Sequence, residues 1–183
     1  MKRLLPALAA LASVLAAQPT PQNPPFHLPA SVEQKTDLVY ALAGSRQLHL
    51  DLYLPKSGRG PFPAIVYIHG GGWNAGNKNA FRRQAAYMAT KGFAGACIEY
   101  RLSSEARYPA AVHDSKAAVR WVRANAGKYA IDPERIGAAG GSAGGQLAAL
   151  LGVTNDMPGF EGREGNDGIS SRVAAVAAFN PAV

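Results

Sequence analysis

Four short apolar runs, at Ala64 to His69, Phe93 to Tyr100, Arg135 to Gly140 and Val173 to Phe179, alternate with helical patterns. The helices are expected at about Phe81 to Lys91, Ala110 to Ala126 and Ala143 to Leu151. Continuous apolar runs suit strands buried on both faces, and the segments between them are long enough to be crossover helices. The order predicts an α/β fold, a mostly parallel sheet sandwiched by helices. Ahead of it, Thr36 to Ala43 and Gln47 to Leu54 flank Gly44-Ser45-Arg46, and the second segment alternates Leu48, Leu50 and Leu52 with His49, Asp51 and Tyr53. This is a half-buried hairpin strand, so an antiparallel edge is expected. Pro109 and Pro133 fall near expected helix starts, with Asp132 placed to cap a short turn.

At 183 residues, with 48% hydrophobic and 17% charged residues, the chain fits a single globular domain. The formal charge is +7, but the basic residues are scattered, in no run longer than two and without aromatic interleaving, which argues for a solvated surface and against nucleic-acid binding. Cys97 is the one cysteine and sits in the apolar run Phe93 to Ile98, so it reads as a buried, inert thiol. Lys2 and Arg3, the apolar stretch Leu4 to Ala17 and small residues around Leu15-Ala16-Ala17 make residues 1–17 an expected signal peptide and the product secreted or periplasmic. The apolar stretch is too short to span a bilayer, and no cysteine follows it to carry a lipid, so no membrane anchor is expected. Residues 18–35 carry Pro19, Pro21, Pro24, Pro25 and Pro29 and read as an extended linker, which leaves 36–183 as the folded domain.

Gly140-Gly141-Ser142-Ala143-Gly144 lies where an apolar run meets a helical one. A strand-to-helix turn there would expose the Ser142 hydroxyl, and glycines flank it because side chains would collide with the neighbouring strand and helix. Upstream, the run Ala64 to Ile68 ends in His69-Gly70-Gly71-Gly72-Trp73. A glycine-rich loop at a strand end brings bare backbone N–H groups close to a reacting carbonyl oxygen, so Gly71, Gly72 and Ala143 are the expected oxyanion-hole donors beside a Ser142 nucleophile. The alternative for Ser142 is a helix N-cap, and for Gly71 and Gly72 a flexible turn. His113 and Asp114 are adjacent on a helix and point in different directions, so they cannot relay to one another. Tyr100, Arg101, Trp73 and Trp121 read as packing and ion-pair residues.

From about residue 36 onward the chain resembles the α/β-hydrolase superfamily, and within it the hormone-sensitive-lipase-like and acetyl-xylan or feruloyl esterase-like serine esterases. The resemblance is carried by His69-Gly70-Gly71-Gly72-Trp73, Tyr100-Arg101-Leu102, Tyr108-Pro109-Ala110-Ala111-Val112-His113-Asp114, Ala117 to Arg123, Asp132 to Ile136 and Gly141-Ser142-Ala143-Gly144-Gly145. It implies ester hydrolysis without cofactor or metal, on a small-molecule or polysaccharide-linked ester. It also gives His69 the role of orienting its loop. The superfamily places an acid and then a histidine after the serine, whereas no histidine follows Ser142, and Asp156 and Asp167 lie in the polar stretch Asn155 to Ser171. The sequence therefore reads as an N-terminal part of the domain, with acid and base lying beyond residue 183. Three readings stand: a secreted serine esterase, a non-catalytic truncated hydrolase domain, and a prolyl-oligopeptidase-like peptidase, the last disfavoured by the His-Gly-Gly-Gly loop and the lack of repeats.

Overall fold

The apolar runs become strands. In the computed structural model, which describes residues 24–182, β1 (Val32–Ala43) and β2 (Arg46–Pro55) form the expected hairpin. They are followed by β3 (Phe62–Ile68), β4 (Ala94–Ile98), β5 (Ile131–Gly141) and β6 (Ala175–Phe179). The sheet order is β1-β2-β4-β3-β5-β6, with β2 antiparallel to β1 and β4 and the other four strands parallel. The α/β class expected from the alternation is what forms. The residues of the expected signal segment, 1–17, lie outside the described residues.

Strand alternation sends two sets of side chains to opposite faces. Leu48, Leu50, Leu52, Val66, Ile68, Ala96, Ile98, Ile136 and Ala138 face α2 (Ala110–Ala124) and α3 (Ala143–Val153), whose Val119, Val122, Leu147 and Leu151 complete the main core. Tyr53, Tyr67, Cys97 and Ala139 face α1 (Arg82–Ala89) through Ala85, Ala86 and Ala89. Small residues let α1 approach closely: a Cβ on Gly95 would lie 2.8 Å from that of Ala85. Among the described residues no helix is long and apolar enough to cross a membrane.

Four features differ from the sequence reading: two strand starts, an added helix and the exposure of one strand. Strand β1 begins at Val32, inside the span assigned to the linker, because the prolines stop at Pro29 and Val32 is fully buried against Tyr53 and Ala86. Strand β5 begins at Ile131, so Pro133 sits within a strand and not at a helix start. The ladder shifts register there, from Phe62 opposite Ile131 to Ala64 opposite Ile136, and a bulge tolerates a residue without an N–H. Asp132 does cap this turn, its Oδ1 accepting from the Glu134 N–H at 2.9 Å. A short helix, α4 (Pro158–Glu161), interrupts the polar stretch. Finally, β6 is exposed along its length, since among the described residues it has a strand neighbour on one side only.

Candidate active site

The connection leaving β3 crosses one face of the sheet through α1, and the connection leaving β5 crosses the other through α3. Where the loops of adjacent parallel strands part in this way, a crevice opens at their carboxyl ends. Ile68, the last residue of β3, lies opposite Gly140, so the His69 loop and Ser142 emerge side by side into that crevice. Ser142 has φ 55° and ψ −121°, a strained conformation for a residue with a side chain. Steric demands dictate its neighbours. A Cβ on Gly140 would lie 2.1 Å from the Gly144 carbonyl oxygen, and one on Gly144 would lie 2.1 Å from that of Ile68. The turn is held from below, with the Ser142 N–H donating to the Phe179 oxygen at 2.9 Å and the Ser142 oxygen accepting from Gln146 and Ala182, each at 3.1 Å. Ser142 occupies the N-cap position of α3, yet its hydroxyl does not cap the helix and the residue stands exposed.

The glycine loop packs on this turn. A Cβ on Gly70 would lie 2.6 Å from the Gly141 oxygen and 3.3 Å from the Ser142 Cβ. Gly71 has φ 117°, and its carbonyl accepts from Asn74 and Ala75 at 3.1 and 3.0 Å, folding residues 71–75 into a tight turn that continues through the positive φ of Gly72 and Trp73. Among the described residues the N–H groups of Gly71, Gly72 and Ala143 donate to no protein group. Ala143 opens α3, where the unpaired amides and helix dipole make the surroundings favourable to negative charge. His69 is buried, its ring stacked on Tyr100 at 4.3 Å between centroids, and its Nδ1 lies 2.8 Å from the Gly70 oxygen. Tyr100 donates its phenol proton to the His69 carbonyl at 3.1 Å. Burial holds the His69 imidazole below its usual range, so at neutral pH it is uncharged.

Residues 50–182 match the BD-FAE family model. The chain belongs to the BD-FAE family. It is 37% identical over 132 residues to carboxylesterase NlhH of Mycobacterium tuberculosis, a match covering 71% of this chain and 40% of that protein. Among solved structures it is similar to a truncated form of a carbohydrate esterase from gut microbiota, at 40% identity and a TM-score of 0.71, covering 79% of this chain and 55% of that one. It is also similar to the thermophilic esterase Est2 of Thermogutta terrifontis, at 36% identity and a TM-score of 0.72, covering 83% and 54% respectively. The α/β-hydrolase fold implied by the motifs is the fold these relatives share. The chain spans well under two thirds of the length of each.

The other polar residues singled out in this BD-FAE chain are brought together for packing. Asp114 is fully buried and accepts from Arg101 through Nε at 2.9 to 3.0 Å, Nη2 at 2.6 Å and the backbone N–H at 2.8 Å. Glu164 is the third member, 2.8 Å from Arg101 Nη2. Burial alone would push the Glu164 carboxyl up, but Arg101 and hydrogen bonding hold it below the usual carboxylate range. His113 turns away from Asp114, its Nε2 lying 3.0 Å from the Gly159 oxygen and its Nδ1 3.6 Å from Glu164 Oε1, so the side chains of the two helical neighbours make no direct contact with one another. Cys97 is buried, and burial pushes its thiol up and out of reactive range. Among the described residues no group of three or more His, Cys, Asp or Glu could hold a metal ion. Sequence reasoning missed the tie from Ser142 to Phe179, the part played by Glu164, and a cavity beside Trp73. The first two lie far along the chain from their partners and leave no local pattern.

Proposed function

We propose that this chain carries the nucleophile and oxyanion half of a serine esterase. In this reading the Ser142 hydroxyl attacks an ester carbonyl, and the amides of Gly71, Gly72 and Ala143 hold the oxyanion as it forms. The alcohol then leaves, and water releases the acid from the acyl-enzyme. The observation that carries the reading is a strained, exposed serine beside backbone amides with no other acceptor. The names of the relatives, carboxylesterase and esterase, support it. No described histidine hydrogen-bonds to the Ser142 hydroxyl, and His69 and His113 are engaged elsewhere. In this reading the base is none of the described histidines. A short acyl group is favoured, since Est2 of Thermogutta terrifontis has been solved with propionate and with butyrate bound. Acetyl or feruloyl groups on a plant polysaccharide are the finer proposal, supported by the relative described as a carbohydrate esterase and by an N-terminus that reads as an export signal.

Paraoxon, which phosphorylates Est2, provides the test. A serine without a base is a poor nucleophile, so the 183-residue chain should be labelled slowly at neutral pH and faster when imidazole is added as a surrogate base. Peptide mapping should put the phosphoryl group on Ser142, and Ser142→Ala should remain unlabelled. Labelling at another residue, or equal labelling of Ser142→Ala, overturns the assignment.

A further inference from the structure

A mostly apolar cavity of about 340 Å³ lies beside the crevice, walled by Trp73, Ala106, Tyr108, Ala111, Gln146 and Leu147. Two of its walls belong to the elements that build the crevice. Trp73 directly follows Gly72, and its carbonyl accepts from the Ser103 N–H at 2.7 Å, which ties the loop carrying Ala106 and Tyr108 to the glycine turn. Gln146 stands one helical turn beyond Ser142 and donates its N–H to the Ser142 oxygen.

The lining specifies what fits. An apolar cavity of roughly 150 Å³ already accommodates benzene, so this one has room for a six-membered ring with a short substituent, and an acetyl group would leave most of it unfilled. Arg101 borders the cavity, but its guanidinium is occupied by Asp114, Glu164 and the Ala110 oxygen, so it offers little to an anion. The Gln146 amide makes no hydrogen bond among the described residues and is left to meet a hydroxyl or ether oxygen on a ring edge. Tyr108 is 70% exposed and lies edge-on to Phe160 at 6.3 Å, presenting an aromatic wall at the mouth.

We propose that this cavity is a specificity subsite for a neutral, ring-sized group of the ester, with Trp73, Tyr108, Ala111 and Gln146 as its selecting residues. That the ligand is an ester rests on the esterase reading, whereas the preference for a neutral ring rests on the cavity itself. The subsite lies on the acyl or the alcohol side of the scissile bond, and the probes below separate the two.

Binding is measured in the 183-residue chain carrying Ser142→Ala, so that no turnover is needed, and Trp121→Phe, which leaves Trp73 as its one tryptophan. Methyl benzoate carries its ring on the acyl side, phenyl acetate on the alcohol side, and ethyl acetate has none. At least one ring ester should quench Trp73 fluorescence saturably at a concentration tenfold or more below that of ethyl acetate, and the tighter of the two identifies the side. Benzoate, being charged, should bind more weakly than methyl benzoate. Ala111→Phe, which fills the cavity, should weaken ring binding about tenfold, and Tyr108→Ala, at an exposed position, about threefold, with melting temperatures near that of the parent. Equal affinity for all three esters, or unchanged ring binding in both variants, overturns the subsite. Because Ser142 is absent throughout, the binding result stands apart from whether Ser142 is the nucleophile.

Discussion

With φ at 55° and ψ at −121°, Ser142 occupies a region where Cβ crowds the backbone, and such residues carry strain of order 1–3 kcal/mol that the surrounding structure must hold. Here the constraint is visible: Phe179 anchors its N–H, Gln146 and Ala182 anchor its carbonyl, and Gly140 and Gly144, two residues to either side, have no space for a side chain. Glycine would sit at the same angles without the Cβ clash, at an offsetting entropic cost of roughly 0.5–1 kcal/mol. Ser142→Gly should therefore stabilise the chain by about 1 kcal/mol in urea denaturation with an unchanged slope. A destabilised Ser142→Gly would show that the serine is held by favourable contacts instead of being forced into place, which argues against a side chain positioned for reaction.

At the scale of elements, the elbow works because α3 starts against the end of β3. The Gly144 Cα faces the Ile68 and His69 carbonyls so closely that a Cβ would lie 2.1 and 2.5 Å from their oxygens, both backbone atoms that cannot swing away. Gly144→Ala should cost 3 kcal/mol or more, above the usual range for overpacking, and should also displace the glycine loop. Gly127→Ala, at a glycine with nothing within 4 Å of the added Cβ, is the control and should be near neutral. Thermal melts of the two variants check this, and similar melting temperatures would contradict the packing described. These elements were legible because their signals are local. The runs ending at Ile68 and Gly140 are apolar without interruption, and the glycines at 70–72 and 140–144 mark turns whose steric needs are set by their own backbone. Less legible were features decided by distant partners. The start of β1 depends on the pocket for Val32 under Tyr53, the β5 bulge on its register with Phe62, and the role of Glu164 on Arg101 across 63 residues of chain. The Trp73 cavity belongs to the same class, since it is enclosed by four segments and announced by none.

Across the whole molecule, His69, Glu161, Glu164 and Tyr100 make stability fall away on both sides of neutrality, while Asp114, whose carboxyl burial pushes up, works the other way at acid pH. His69 is buried and its folded imidazole gives up its proton at a lower pH than in the unfolded chain, where the ordinary value is about 6.5. The unfolded state thus binds more protons between the folded value and about 6.5, so this contribution is complete above that window and is lost as pH falls through it. Glu161 and Glu164 act lower. Burial opposes their ionisation, but Lys116 and Ser171 for the first, and Arg101 and His113 for the second, hold both below the usual carboxylate range. Their contribution is present above about 4.5 and is lost as pH falls below it, with Glu161 discounted because a third of its side chain meets solvent. On the alkaline side, burial pushes Tyr100 up to about 12, so its contribution is complete below about 10 and is lost between there and 12. Urea midpoints measured from pH 4 to 11 should therefore form a plateau near pH 7 to 9, a first decline below 6.5 and a steeper one below 4.5. His69→Phe keeps an aromatic ring against Tyr100 but removes the imidazole, so it should lower the plateau and flatten the first decline while leaving the second. A wild-type midpoint that stays constant from pH 8 to 5.5, or a first decline that persists in His69→Phe, would mean that the histidine beneath the glycine loop is not held neutral by its burial.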